Sequence, residues 1–133
     1  MKIKKALVVL FAFACCLAVA HPPAMPAGPS PELKKLSYMI GEWSGTFTIS
    51  MGGNDTPMQC GIKAEWAQKG NFLKTTMTVS MPDNGGKMEG ITYLGYDSEG
   101  KVYRGFGFED MSPIAREESG TLDGTKLVMT SKP

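Results

Sequence analysis

From Trp43 onward the chain alternates between apolar and polar residues, which is the pattern of antiparallel strands that bury one face. In the first run, Trp43, Phe47 and Ile49 alternate with serines and threonines. Clusters of glycine, asparagine, aspartate and proline separate the runs and favour tight turns. The pattern predicts seven strands, at residues 43–51, 58–66, 72–81, 88–96, 102–108, 115–122 and 126–131. Seven strands joined by short connections predict an all-β meander.

An antiparallel meander either closes as an up-and-down barrel or stays a strongly curved sheet. Closure removes the exposed strand edges that invite aggregation. The last predicted strand ends only two residues before Pro133. We therefore expect one of three arrangements: the first strand pairs with the last, a partner covers the open edge, or the chain is incomplete at its C-terminal end.

The first 20 residues have the three-part layout of a secretory signal peptide. Lysines at positions 2, 4 and 5 precede an apolar run over residues 6–19, and a small-x-small sequence ends at Ala20. Cleavage after Ala20 predicts a secreted or periplasmic protein without a stable membrane anchor. A lipid on Cys15 or Cys16 is the alternative, although the residues upstream of these cysteines fit a lipoprotein signal poorly.

A proline-rich stretch follows the signal peptide at residues 21–31 and predicts an extended linker. Residues 32–133 then form the one β domain that a chain of this length can hold. At the start of that domain, Ser30 and Pro31 suit a helix N-terminus, and Gly41 suits a stop. Leucines and isoleucine at helical spacing lie between them, so we expect a helix of about two to three turns.

The net charge and the types of side chain in the sequence exclude several classes of function. Removing the three signal-peptide lysines from 14 Lys and Arg leaves 11, against 13 Asp and Glu, which is no electrostatic footprint for nucleic acid. Cys60 remains as a single thiol and is expected to be a small buried apolar residue. His21 is the one histidine, so the chain lacks the residues for a histidine-based triad or zinc site. We expect no metal site and no cofactor.

Four short motifs point to a known family. They are Leu36 with Gly41-x-Trp43-x-Gly45, Met88-Glu89-Gly90, Leu94-Gly95-Tyr96-Asp97, and Gly120-Thr121-Leu122-Asp123-Gly124. In this order they resemble the bacterial family called domain of unknown function 1579, from about Leu33 to the end of the chain. The resemblance implies a calycin-like barrel, similar in outline to lipocalins, with a cavity and no assigned activity.

The favoured interpretation is a binding protein for a small apolar or amphipathic molecule. The predicted cavity residues lie on the apolar faces of the first three strands, and they are Trp43, Phe47, Ile62, Trp66, Met77 and Met81. Arg116 and Glu118 would add a polar contact for a ligand carboxylate or hydroxyl if they point inward. The alternative for this charged run is an exposed edge strand that its charges protect from pairing. Glu109 and Asp110 are expected to be solvated at a turn.

Two other function classes stay open on the sequence. A structural or interaction module would use the open sheet edge to accept a partner strand or a second copy of the chain. An enzyme acting on a small hydrophobic substrate would need an acid or base in the cavity, for which Arg116, Glu118 and Tyr93 are the candidates.

Overall fold

The computed structural model describes residues 28–82 and 85–131. The predicted signal peptide, His21 and the first part of the predicted linker lie outside the described residues. The described chain begins with a single-turn helix, α1 (Pro31–Lys34), followed by a short 3₁₀ turn at Ser37–Met39. Of these and the other helical segments that the structure describes, none has the length and apolar character that a transmembrane span requires.

Seven strands form one antiparallel sheet in which each strand pairs with its neighbours in the sequence. They are β1 (Gly41–Met51), β2 (Asn54–Ala67), β3 (Phe72–Ser80), β4 (Lys87–Asp97), β5 (Val102–Glu109), β6 (Arg116–Asp123) and β7 (Lys126–Ser131). All seven predicted strands are confirmed. Within the described residues β1 and β7 do not pair, so the sheet is a curled half-barrel with two edges. Of the two predicted arrangements, a closed barrel and a strongly curved sheet, the structure has the curved sheet, which is consistent with a calycin-like architecture.

The N-terminal helix is shorter than the sequence predicts. Ser30 caps it as expected, since its Oγ accepts a hydrogen bond from the Leu33 N–H at 3.2 Å. The Ser37 hydroxyl then donates to the Lys34 carbonyl at 2.6 Å and satisfies a group at the end of the first turn. The expected helix of two to three turns is therefore wrong. The chain forms one helical turn and a separate 3₁₀ turn, which together place Leu33 and Leu36 on the sheet.

The helix packs on one face of the sheet, which we call the concave face. The buried core there joins the helix to β2, β3, β4 and β5, and its members are Leu33, Leu36, Ala64, Leu73, Leu94 and Tyr103. The Tyr103 hydroxyl donates to the Glu32 carbonyl at 2.9 Å and ties the sheet to the helix. Burial raises the pKa of Tyr103, so this phenol stays protonated at neutral pH. The core therefore fills one end of the concave face.

Candidate ligand-binding site

A row of cross-strand neighbours crosses the concave face beyond the helix. Trp43 of β1 pairs with Ile62 of β2, and Ile62 pairs in turn with Met77 of β3. The row continues through Gly90 of β4 to Glu109 of β5. Directly paired residues point to the same side of a sheet. An apolar surface therefore leads across the strands to a carboxylate.

The apolar end of this row forms a pocket beside the 3₁₀ turn. The pocket measures about 240 Å³ and is lined by Tyr38, Met39, Trp43, Ile62 and Ala64. Trp43 is 54% exposed, although it lies on the face that holds the core. Its indole N–H donates to the Met39 carbonyl at 2.7 Å. This bond orients the ring at the mouth of the pocket and leaves an aromatic face open to solvent.

Tyr38 closes one side of the same pocket and links the two ends of the half-barrel. Its hydroxyl donates to the carbonyl of Thr125, in the turn between β6 and β7, at 2.6 Å. Sequence analysis missed this residue, because its partner lies far along the chain and no local pattern indicates the contact.

The other end of the row carries three charged side chains. The Arg116 guanidinium binds Glu109 through Nη1 and Glu118 through Nε, the second at 2.7 Å. Ser131 donates to Glu118 Oε1 at 3.3 Å. Among the described strand residues, these three are the charged side chains on the concave face, as the pairing register shows. Their combined charge is −1.

Two glycines form the floor beside this cluster. Gly105 pairs with Glu118, and Gly107 pairs with Arg116, so each charged side chain lies next to a residue without a side chain. A Cβ placed on Gly105 would lie 3.5 Å from Glu118 Oε2, and one placed on Gly107 would lie 3.4 Å from Arg116 Nη2. Thr92 borders both positions, at 3.6 Å and 3.5 Å. These are ordinary van der Waals separations, so the side chains of Thr92, Arg116 and Glu118 pack directly over the two glycines.

Register decides the orientation of Arg116 and Glu118. Glu118 pairs with Gly105, and Gly105 pairs with the buried core residue Leu94, so all three share the concave face. Arg116 and Glu118 therefore point toward the concave face, which is the inward orientation that the sequence analysis considers. The edge-strand alternative is wrong, because β6 pairs with both β5 and β7.

The expectation that Glu109 is a solvated turn residue is also wrong. It is the last residue of β5 and binds Arg116, so it is not a free solvated turn residue. The alternation Tyr103, Gly105, Gly107 extends to position 109 and would have placed Glu109 on the concave face. Alternation is hard to recognise in this strand, because Gly105 and Gly107 carry no apolar side chain that would identify the concave face.

The six predicted cavity residues separate into four groups in the structure. Trp43, Ile62 and Met77 meet in the apolar row. Trp66 packs against the helix-covered core instead. Phe47 lies farther along β1, paired with Met58 and 36% exposed.

Met81 lies outside the row. It follows the end of β3, and its backbone N–H donates to the Gly86 carbonyl at 3.0 Å. The strand ends one residue earlier than the sequence predicts, so Met81 belongs to the turn between β3 and β4. Its position does not bring it to the apolar pocket.

Tyr93 lies on the opposite, convex face. It pairs with Lys74 and Phe106, whereas Arg116 and Glu118 lie on the concave face. The three residues offered for an enzyme therefore do not form one site. In the described part of the chain, no group of three or more His, Cys, Asp and Glu side chains is arranged to hold a metal ion.

The comparison that decides the family is a match to a family model over residues 28–132, described as "Protein of unknown function (DUF1579)". The chain belongs to the DUF1579 family. Searches of curated proteins and of solved structures found no match. In this DUF1579 chain, the Gly-x-Trp-x-Gly motif opens β1, and its tryptophan is the more exposed of the two aromatic residues that line the apolar pocket.

Proposed function

We propose that this DUF1579 domain binds a small amphipathic molecule on the open part of its concave face. One observation carries the proposal: a continuous row leads from an exposed aromatic pocket at Trp43 to the charged cluster at Arg116. Small-molecule sites are typically apolar with a few polar groups that fix orientation. The row has this composition.

The apolar part of the molecule would lie on Trp43, Ile62 and Met77. Trp43 is held by its hydrogen bond to Met39, so binding would not have to order the ring. Covering an exposed aromatic face removes apolar surface from water, which is favourable by about 25 cal/mol per Å². Met77 is unbranched and adapts to ligands of different shape.

The polar part of the molecule would reach the charged cluster of Glu109, Arg116 and Glu118. Glu118 is the most enclosed member of the charged cluster, with a side chain 18% exposed. Hydrogen bonds to charged groups are stronger than those between neutral groups. The cluster would therefore orient a ligand that the apolar row alone would hold loosely.

The proposal includes export to the periplasm or beyond, which the signal-peptide pattern of residues 1–20 supports. Binding would then take place outside the cytoplasm. The charge of the mature chain, which gives no attraction to nucleic acid, agrees with such a location.

Native mass spectrometry of the mature protein, purified from an exporting host, tests the proposal. We expect an extra mass that is present in the native spectrum and lost on denaturation. The Trp43→Ala variant should carry less of it, while Phe106→Ala on the convex face should carry as much as the unchanged protein. Equal occupancy in all three proteins, or none in any of them, would contradict the proposal.

A second candidate function rests on the free edge of β1. This 11-residue strand has a partner only on its β2 side within the described residues, and it contains neither lysine nor proline, which commonly protect edges. The edge would pair with β1 of a second copy. Light scattering after size-exclusion chromatography should then show a dimer that the double variant Thr46→Lys, Thr48→Lys converts to a monomer. A monomer at all concentrations would eliminate this candidate.

A further inference from the structure

A second apolar surface lies on the convex face, opposite the proposed ligand surface. Phe106 and Phe108 of β5 are 43% and 51% exposed. Tyr93 of β4 pairs with Phe106, and Ile91 pairs with Phe108, so these four side chains form one block. Phe72 of β3 adjoins the block and lines, together with its three aromatic side chains, a groove of about 310 Å³. We call these five residues the convex patch.

The convex patch has the character of a contact surface. Single exposed apolar side chains are common on proteins, whereas a contiguous apolar patch marks a contact with another molecule. Aromatic side chains are also enriched where two proteins meet. The covering helix packs on the concave face, so it does not shield the convex patch. A partner from outside the described chain would therefore remove this surface from water.

Opposite charges stand at the two ends of the row that crosses the convex patch. Lys74 of β3 pairs with Tyr93, and Phe106 pairs with Glu117 of β6. The row therefore contains a cation, two aromatic rings and an anion in that order. Neighbouring strands lie about 4.8 Å apart, which puts Lys74 and Glu117 each about 7 Å from the line between β4 and β5.

This order makes the row complementary to itself. A two-fold axis parallel to the strands, above the line between β4 and β5, brings two convex faces together. The rotation places each Tyr93 against the partner's Phe106, and each Lys74 opposite the partner's Glu117. A closed dimer with two-fold symmetry forms every such contact twice. Aromatic contacts at the centre and opposite charges at the rim then occur in the same arrangement.

The neighbours of Lys74 and Glu117 are compatible with this contact. Lys74 Nζ lies 3.7 Å from a Glu65 carboxylate oxygen, and Arg104 Nη1 lies 3.5 Å from Glu117 Oε1. Both separations exceed the length of about 2.8 Å that is typical of a charge-assisted hydrogen bond. With Glu65 and Arg104 the rim carries both signs of charge, whereas attraction to an anionic lipid surface calls for a cluster of cations. The rim thus favours a protein surface with matching charges.

From the convex patch and its rim, we infer that this face binds the convex face of a second copy of the chain, with the two-fold axis between β4 and β5. The inference goes beyond the proposed function and does not depend on it, because the concave face of each copy points away from the contact. It also differs from pairing at the edge of β1, which lies at one end of the sheet.

Sedimentation equilibrium of the mature protein over a concentration series tests the inference. We expect an equilibrium between monomer and dimer. Phe108→Lys should weaken the dimer at least about tenfold, since it buries an unpaired cation against the partner's Ile91. The double variant Thr46→Lys, Thr48→Lys at the edge of β1 is the control and should leave the dissociation constant unchanged.

Charge reversal tests the two-fold arrangement without altering the convex patch. Lys74→Glu places two carboxylates opposite each other, and Glu117→Lys places two ammonium groups there. Each should weaken the dimer about fivefold or more, because like charges across an interface repel each other at both symmetric contacts. Lys74→Glu combined with Glu117→Lys restores opposite charges and should recover most of the lost affinity. Circular dichroism establishes that each variant is folded.

The contrary results are equally specific. A monomer at every concentration, or a dimer that a folded Phe108→Lys variant leaves intact, would overturn the inference. A dimer that only the edge variant dissociates would assign self-association to β1 instead. A combined charge reversal that binds as weakly as the single reversals would overturn the two-fold arrangement. A monomer that cosediments with phosphatidylcholine vesicles would show that the convex patch contacts lipid and not a second copy.

Discussion

The helix-covered end and the β1 side of the concave face have the same alternating sequence pattern but opposite burial. Leu36 and Leu73 are 0% exposed at the helix-covered end, whereas Trp43 is 54% exposed on the β1 side. Part of the difference lies in the covering element, because α1 and the 3₁₀ turn pack over Leu73 and leave Trp43 exposed. Met58 and Val79 lie on the same face outside the helix-covered cluster and are also buried, so contacts within the sheet bury part of this face too. Alternation therefore predicts which face a side chain occupies, but not whether that position becomes core or surface.

The largest expected effect comes from removing a side chain at the covered end. Leu36→Ala should lower the free energy of unfolding by about 2 to 5 kcal/mol, since it leaves a cavity in a fully packed site. Trp43→Ala should lower it by less than about 1 kcal/mol, because exposed positions contribute little to stability. Urea denaturation followed by circular dichroism measures both values. Equal losses would show that the β1 side is as much a structural core as the helix-covered end.

A smaller effect is expected from a single hydroxyl group at the covered end. Tyr103→Phe removes the hydrogen bond to the Glu32 carbonyl and should cost about 0.5 to 1.5 kcal/mol of unfolding free energy. Tyr93→Phe on the convex face is the matched control, and its effect should stay within about 0.5 kcal/mol. If the control loses as much as Tyr103→Phe, the bond to the helix is not the cause.

The charged cluster on the open side should contribute less than the buried bond. A double-mutant cycle of Arg116→Met and Glu118→Gln should give a coupling energy of no more than about 1 kcal/mol, because the Arg116 side chain is 43% exposed. Thermal or urea unfolding of the four proteins supplies the numbers. A coupling of several kcal/mol would mean that the cluster holds the fold together and is not free to serve a ligand.

A pH-dependent effect is expected in the turn between β4 and β5. The backbone N–H of Gly100 and the Arg104 guanidinium lower the pKa of Asp97 below its ordinary value of 3.8. A carboxyl group with a lowered pKa stabilises the fold above its unfolded pKa and loses that contribution as the pH falls through its folded pKa.

Asp97→Asn should therefore lower the melting temperature at neutral pH, and the difference from the unchanged protein should shrink as the pH falls below 3.8. Glu99→Gln in the same turn is the control and should show a smaller deficit. A difference between Asp97→Asn and the unchanged protein that stays constant down to the lowest pH at which both fold would contradict the role given to the ionised carboxylate.

The sequence predicts the strands well because their signals are local. Each turn carries its own glycine, asparagine or proline, and each strand carries its own alternation. The sequence predicts too long a helix, because the regular spacing of its apolar residues does not reveal the hydrogen bond from the Ser37 hydroxyl to the Lys34 carbonyl. That bond satisfies the carbonyl at the end of the first turn, where the helix ends. The unpaired edges of the half-barrel depend on contacts between distant strands, which no local pattern reveals.

The candidate site was only partly predictable for a related reason. Trp43, Ile62 and Met77 follow from alternation, since their strands each have one clearly apolar face. The strand that carries Arg116 and Glu118 is polar on both faces, so its orientation depends on the register with Gly105 and Gly107. That register also brings Arg116 to Glu109.

The most direct test of the central claim, that the β1 side of the concave face is a binding surface, is a fluorescence titration with decylammonium. The chain has two tryptophans, one exposed in the apolar pocket and one packed against the covered core. We expect a saturable change in emission that is lost in Trp43→Phe, since Trp66 lies away from the pocket. An unchanged response in Trp43→Phe, or no saturable response in the unchanged protein, would contradict the claim.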